Sequence, residues 1–555
     1  MQDSTLFQWR RGWCGILIAG LSLGCGSANG ITDAAVTQVA IAPAGASVAV
    51  GATVTLQATA FDASGTEVRG KSVLWTSAAA TVASVTSTGV VTGVTPGTAR
   101  ITATVDNRSA NTDITVTPGG TPLATIAVNG AQRFQTMTGW EALAEIGQVE
   151  CDPRAYATFK NEVLDRAANE LGINRIRMGL RNGFENPQDQ FIPFRAGQLT
   201  FNQWKVFWFQ VVNDNNDPFV INPAGFTWGY LDYTMDELIV PLKQRLAARG
   251  EPLWLNLSYT GANSGQLHRD NPDEYAEFVL AAFQHLQQRY GFVPNSLELV
   301  NEPDLGTWTP THIARNLAAV KPRLAQAGFT PDFIGPSSST VSTALQNFDG
   351  MIPQAGVAQG LDAIVYHRYG TPPSIAQLQG LAQRGSQFGM RTAMLEHGGS
   401  GHEDLHADLT LANISAWQQF GLAFCGDRDI GGNYFPIFGG SLGNNTPVVR
   451  TGEMTKFLRQ YFRYVALGAE RVGATTANAQ FAPVGFRNSN GKFVVVVKAS
   501  AGGSFSISGL PAGTYGIDYT TASAYMVPLA NQTITGAQLL STAIPAAGVL
   551  TVFAR

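Results

Sequence analysis

Apolar and polar positions alternate with a period of two at both ends of this chain. Longer, helix-like periods fill the stretch between them. From residue 36 to 118, short runs such as VTQVAIAP, ATVTLQATAFD, SVLWTS, ARITATVD and NTDITVTP are separated by turn residues. Regular short strands of this kind predict an all-β sandwich. A PGGTP linker, Pro118 to Pro122, follows. Beyond it, β-like apolar segments alternate with amphipathic stretches. MTGWEA and INRIRMGL precede the helical pattern DYTMDELIVPLKQRLAARG, and EPLWLNLSY precedes PDEYAEFVLAAFQHLQQRYG. SLELVNEPD precedes THIARNLAAVKPRLAQAG, and TPDFIGPSS, LDAIVYHRYG, RTAMLEHGG and IGGNYFPIFG complete the series.

Eight such strands with helices between most of them, over about 340 residues, predict a (β/α)8 TIM barrel with insertions. Short apolar strands without alternation suit a parallel sheet buried on both faces. From about Glu470 the helical pattern stops. FAPVGFRNSNGKFVVVVKAS, SFSISGL, TYGIDYTT and GVLTVFAR read as strands, with a hairpin turn at Asn488-Ser489-Asn490-Gly491. The expected architecture is multidomain. A leader (1–30) precedes an N-terminal Ig-like β-sandwich (36–118), a catalytic barrel (124–470) and a C-terminal β-sandwich side domain (471–555). The strand at 124–133 is a candidate to join that last domain.

The 555 residues are 45% hydrophobic and 14% charged, with a net charge of −4 and no basic run. This composition is globular, and it gives no footing for nucleic acid. Arg10 and Arg11 precede the apolar run WCGILIAGLSLG, which ends near Cys25. A basic segment before a short apolar one reads as an export signal. The run is about half of what a bilayer span needs. The cysteine at its end resembles the acylated cysteine of a bacterial lipoprotein, so Cys25 is the expected lipid attachment point. An ordinary signal peptide cut near Ala28 is the alternative. Cys151 and Cys425 are then left either as one bridge or as two buried thiols. No cluster has metal-ligand spacing.

Active sites of such barrels lie at the C-terminal ends of the strands. The polar residues there are Trp140 and Glu141, Arg175 and Arg177, Asn256 and Tyr259, Asn301 and Glu302, Ser337 to Ser339, His367 and Tyr369, Glu396 and His397, and Asn433 and Tyr434. Glu302 and Glu396 stand out, because each follows an apolar run and is lifted to the barrel mouth. Two facing carboxyls suit glycosidic bond cleavage. One donates a proton to the leaving oxygen and the other attacks the anomeric carbon, with the pair about 5–5.5 Å apart when configuration is retained.

Asn301-Glu302-Pro303 at the fourth strand, with Glu396 at the seventh, resembles clan A of the retaining glycoside hydrolases. Within that clan, QTMTGWEA, GINRIRMGL and YFRYVALGAERVGA are most similar to family 30. The resemblance implies that Glu302 is the acid/base and Glu396 the nucleophile. Asn301 would bind the sugar 2-hydroxyl, and Arg177 would keep the nucleophile ionised, with Arg175 as fallback. It further implies that Tyr369, beside His367, orients the nucleophile. This sequence departs from the clan at the predicted eighth strand, where Tyr434 and Phe435 stand in place of a Trp platform. It also departs at Trp140-Glu141, where the family tends to have Phe-Gly. The segment TSTGVVTGVTPGTARITAT resembles the bacterial Ig-like group 2 domain, which implies a spacer or adhesive module.

An aromatic insertion carries Trp204, Phe207, Trp208, Phe209, Trp228 and Tyr230. These form either a sugar platform or a small core of their own. Trp228 and Trp308 are the platform candidates, and Asn256, Tyr259, His268, Trp140 and Glu141 are further subsite candidates. The expectation is an exported, lipid-anchored, monomeric enzyme acting on a β-linked glycan without cofactor or metal. The alternatives are a non-catalytic carbohydrate-binding or adhesive surface protein, and a family 39-like xylosidase or uronidase.

Overall fold

The computed structural model describes residues 35–555 apart from 96, 118–121, 262, 265 and 427. The leader with Cys25, and the linker up to Pro122, lie outside the described residues. The N-terminal part is built from short, mostly antiparallel strands. Gly97–Val105 pairs with Arg108–Thr117, and Gln38–Ala42 pairs with Gln57–Phe61. Every second side chain from Ala99 to Val105 is buried, so the period-two pattern has become a core face. Leu56, Ala83, Val91, Ile101, Ile114 and Val116 fill that core.

Eight parallel strands then close into a barrel. They are β1 (Gly139–Ile146), β2 (Arg175–Arg181), β3 (Trp254–Thr260), β4 (Ser296–Glu298), β5 (Asp332–Ser338), β6 (Ala363–His367), β7 (Arg391–Glu396) and β8 (Ile414–Gly426). Closure comes from β1 pairing with β8, with Trp140 opposite Trp417. The helices outside the ring start where the sequence supplies caps. Thr309, Thr340 and Ser374 each form a reciprocal capping box with the residue three positions on. Gly389 ends the last of these, and Gly291 ends the helix Pro272–Tyr290, each with a positive φ.

The eighth strand corrects the sequence expectation. ISAWQQFGLAFCG, not IGGNYFPIFG, closes the ring. Asn433–Phe438 is an added strand outside the ring, parallel to the far end of β8, with Gly421 opposite Asn433, and antiparallel to Val448–Val449. Gln418 and Gln419 interrupt the apolar run of β8, which hid it, and both are buried. Two short apolar segments in a row cannot be ranked by pattern, and only their pairing distinguishes them.

Strands after residue 470 assemble with Ala124–Thr136 into a nine-stranded sheet. That early strand lies between Gly503–Ser508, to which it runs parallel, and Glu470–Thr475. The chain thus leaves the side domain at Thr136, builds the barrel, and returns. Ile126, Val495, Val497, Phe505, Ile507, Leu550 and Val552 form a core of the sheet's own. The helix Thr455–Phe462 and the residues after it join it to the barrel. Tyr464 stacks on Phe553 at 4.3 Å, and Gln460 donates to Thr520.

Cys151 and Cys425 form a disulfide, with Cα atoms 5.6 Å apart and 274 residues between them in sequence. It ties the loop after β1 to the end of β8, across the seam where the barrel closes. A Cβ at Gly147 would lie 2.2 Å from the Cys151 sulfur, and one at Gly440 would lie 2.6 Å from that of Cys425. Both positions need glycine for the bridge to fit.

Candidate active site

The floor of the barrel mouth is set by two arginines on β2. Arg175 and Arg177 are two residues apart on one strand, so both point into the barrel, one layer above the other. Arg175 pairs with Glu141 of β1. Burial pushes Glu141 above its ordinary value despite that partner. One layer higher, Arg177 grips Glu298 of β4 with two donors, Nε at 2.7 Å and Nη2 at 2.5 Å. Its Nη1 donates to Glu396 Oε2 at 2.5 Å, and Nη2 also reaches Asn301 Oδ1 at 2.5 Å. Burial alone would strip charge from this guanidinium. The carboxylates of Glu298 and Glu396 more than reverse that, and Arg177 is held above its ordinary value. Burial likewise pushes Glu298 up, yet the charge and hydrogen bonds of Arg177 outweigh it and hold Glu298 below the usual range.

Glu298 was not among the expected site residues. In LELVNE it reads as one polar break in an apolar wall. Its signal was physical: a carboxylate fully enclosed in a barrel needs a cation, and β2 offers two.

Glu302 sits at the tip of β4 with φ 49°, a left-handed conformation that costs a non-glycine residue about 1–2 kcal/mol. Five hydrogen bonds hold this turn in place. Its N–H donates to Ser337 O at 2.9 Å, and Asn301 N–H donates to Tyr259 O at 2.8 Å. Asp304 accepts from Ser339 N at 2.9 Å, Ser339 Oγ at 2.5 Å and Thr343 Oγ1 at 3.0 Å, which pins the turn onto the loop after β5. Strain of this kind collects at functional sites.

The Glu302 carboxyl meets His367 Nδ1 at 3.0 Å. His367 Nε2 lies 3.1 Å from Ser337 Oγ, which in turn donates to Glu298. On the other side, Tyr369 OH donates to Glu396 Oε1 at 3.0 Å. The two carboxylates each present an oxygen within 4.8 Å of the other, with His367 equally near. A cavity of about 270 Å³ opens on the Glu396 side, between Glu145, Arg181, Trp208, Phe209, Tyr230 and Phe420. A second, of about 120 Å³, opens on the Glu302 side, and Asn301 and Phe209 line both. Arg181 is sandwiched in aromatic walls, 3.3 Å from the Trp208 ring and 4.2 Å from that of Tyr230.

Of the candidate residues, Glu302, Glu396, Asn301, Arg177, His367 and Tyr369 are brought together at this point. The others are not. Trp140 is buried on the outer side of β1, stacked on Phe462 at 4.4 Å, with its indole N–H on Val465 O at 2.7 Å. Glu141 lies a layer below the mouth. Asn256 is buried against Glu298 and Ser296. Tyr259 packs on Tyr275 and meets His268 Nδ1 at 3.1 Å, with Trp308 against its ring. Tyr434 donates to Glu141 O at 2.9 Å from within the core. Trp228 stacks on Phe226 and His285. In the insertion, Trp204 and Tyr230 form a core with Phe191, while Trp208 and Phe209 reach the cleft. Phe420 of β8 stands where the added strand was expected to supply an aromatic.

Residues 35–116 match the family described as bacterial Ig-like domain (group 2). No curated protein matches the sequence. Among solved structures, a family 30 endoxylanase from Clostridium papyrosolvens superposes with a TM-score of 0.54 at 15% identity, covering 78% of this chain and 100% of that one. The catalytic domain of a family 30 xylanase C from Talaromyces cellulolyticus gives 0.57 at 15% identity, with 78% and 100% covered. An endo-β1,6-glucanase gives 0.54 at 12% identity, with 78% and 95% covered. The chain therefore joins a match to the bacterial Ig-like (group 2) domain with the barrel-and-side-sheet fold seen in family 30 glycoside hydrolase structures.

Proposed function

We propose that the chain is a retaining β-glycoside hydrolase with Glu302 as acid/base and Glu396 as nucleophile, acting on a β-linked plant or microbial glycan. The observation that carries this reading is the close pair of carboxylates in unlike surroundings. Glu396 receives Arg177 and Tyr369, which suit an anion. Among the described residues, Glu302 meets only His367 through its side chain. The short spacing, an oxygen of each within 4.8 Å of the other, supports direct attack over the wider separation of the inverting class.

Proton placement follows from donors. Ser337 has one hydroxyl proton and gives it to Glu298. Its oxygen must then accept from His367 Nε2–H, so Nδ1 faces Glu302 and one proton lies between them. In the first step that proton passes from Glu302 to the glycosidic oxygen. Glu396 bonds to the anomeric carbon as the carbon–oxygen bond breaks. In the second step Glu302 takes a proton from water, the water oxygen bonds to the same carbon, and Glu396 is released. Arg177 occupies Asn301 Oδ1, leaving the amide nitrogen for a sugar hydroxyl.

Glu302→Ala is expected to slow hydrolysis of unactivated β-glycans by about 10²–10⁴-fold. Dinitrophenyl β-glycosides, whose leaving group needs no proton, should be much less affected. An equal loss on both substrates would remove the acid role. Glycan binding by the wild type without hydrolysis across xylan, β-glucan and galactan would favour the adhesive reading instead.

Export and lipid anchoring at Cys25 belong to the same proposal. The Cys151–Cys425 bridge supports an oxidising compartment. Cys25→Ser is expected to move the protein from the membrane to the soluble fraction, and an unchanged distribution would contradict the anchor.

A further inference from the structure

We propose that Glu185, Asp214, Glu274 and Glu277 bind one Ca²⁺ ion that fastens the aromatic insertion to the barrel. This stands apart from the glycosidase reading and from the catalytic carboxylates. Glu185 follows β2, Asp214 lies in the insertion, and Glu274 and Glu277 lie on the helix Pro272–Tyr290. Sequence spacing therefore could not show them together.

One oxygen each of Glu185, Asp214 and Glu274 lies within 4.8 Å of the other two. Oxygens so close together leave room for one shared cation of the size of Ca²⁺, with small side-chain adjustments. The second observation is Glu277. It is 2% exposed, and among the described residues both its carboxylate oxygens are enclosed with no hydrogen-bond partner. It follows Glu274 by three positions on the helix Pro272–Tyr290, so the two side chains share one face of it. A carboxylate left so, beside others, is costly unless a cation completes it. Asp214 Oδ1 and Asn213 Oδ1 are likewise enclosed and unpartnered.

The loop is shaped to present these atoms. Asp214 Oδ2 is taken by Asn222 N at 2.6 Å and Asn215 Nδ2 at 3.0 Å, which leaves Oδ1 for the cluster. A Cβ at Gly225 would lie 2.2 Å from the Asp214 Cβ, so the loop closes on Asp214 as tightly as glycine allows. His268 meets Glu185 Oε2 at 2.5 Å and Asp214 N–H donates to Glu185 Oε1 at 3.2 Å, which orients that carboxylate, and Asn213 Nδ2 donates to Glu274 Oε1 at 3.4 Å. Every available donor is oxygen, which selects a hard cation over zinc. Carboxylates from a loop and a helix, with spare oxygens, suit the irregular, high coordination of Ca²⁺ better than the octahedron of Mg²⁺. Trp208 and Phe209 lie on the same insertion, so the ion would hold a wall of the cleft.

The test uses the full-length protein, stripped with a chelator and titrated with CaCl₂. One Ca²⁺ per chain by elemental mass spectrometry is expected, with a rise in the thermal midpoint that Mg²⁺ at equal concentration does not match. Glu277→Gln and Asp214→Asn should each weaken Ca²⁺ binding by about tenfold or more. Without calcium, Glu277→Gln should melt no lower than stripped wild type, because it removes an uncompensated charge. A wholly structural role predicts the opposite. Unfolding on chelation that CaCl₂ reverses also supports the site. No uptake by calorimetry in the stripped protein, equal response to Mg²⁺, or wild-type affinity in the double variant would overturn it.

Discussion

Replacing Glu396 by Ala is expected to lower turnover of a β-glycan by about 10⁴-fold, the scale seen when a residue bonded to the reacting atom is removed. The physical reason lies in the split of one difficult displacement into two easier ones, which needs an atom to hold the anomeric carbon between them. The side chains that hydrogen-bond to Glu396 cannot take over. Tyr369 and Arg177 touch Glu396 only as donors, and Glu302 is held toward His367. The cavity beside Glu396 should admit a small anion, so azide is expected to restore part of the activity of Glu396→Ala and to yield the α-glycosyl azide. An azide product of β configuration, or turnover close to wild type, would assign the nucleophile elsewhere. With the wild type, a 2-fluoro glycoside of a substrate sugar should label the peptide that contains Glu396.

The second large effect is on Arg177. Arg177→Met leaves Glu298 fully enclosed and Glu396 without its cation. Removing one partner of a buried ion pair costs about 3–5 kcal/mol, because the remaining charge stays desolvated. Both stability of the barrel and activity should fall. The pH dependence distinguishes this from simple misfolding. In the wild type, Glu298 is held below its unfolded value, so its contribution to stability is full above that value and is lost as pH falls through the folded one. In Arg177→Met the sign reverses. Burial without a cation raises Glu298, so the variant should regain stability as the pH is lowered from neutral towards 5. Calorimetric scans of the barrel transition at two pH values measure this. A deficit that does not shrink on acidification would mean that Glu298 is not what Arg177 serves.

Much of the site was legible in the chain. LELVNEPDLG reads as a wall segment that ends on a carboxylate, and TAMLE does the same at the seventh strand. Period and position alone placed both glutamates at one rim. The structure adds what the first motif could not state. Glu302 is turned outward by a left-handed backbone, and Asp304 holds the turn against Ser339 and Thr343. Aromatic candidates fared differently. Trp140, Tyr259, Trp308 and Tyr434 stand near strand ends in sequence, yet all are buried in helix-facing layers or the core. Whether a side chain at a strand end faces the cleft or the helices depends on where the strand pairs, not on its type.

The sequence by itself determined the three-part architecture, the parallel character of the barrel and the identity of the two rim carboxylates. These follow from local periodicity and turn chemistry, which each segment carries within itself. Tertiary structure alone decided which of two apolar segments closes the ring, and it joined Ala124–Thr136 to strands 334 to 381 residues on. It also turned Glu298 from a break in a wall into the partner of Arg177, and brought oxygens of Glu185, Asp214 and Glu274 within 4.8 Å of one another. Each of these depends on contacts between residues far apart in the chain, and no local pattern encodes them.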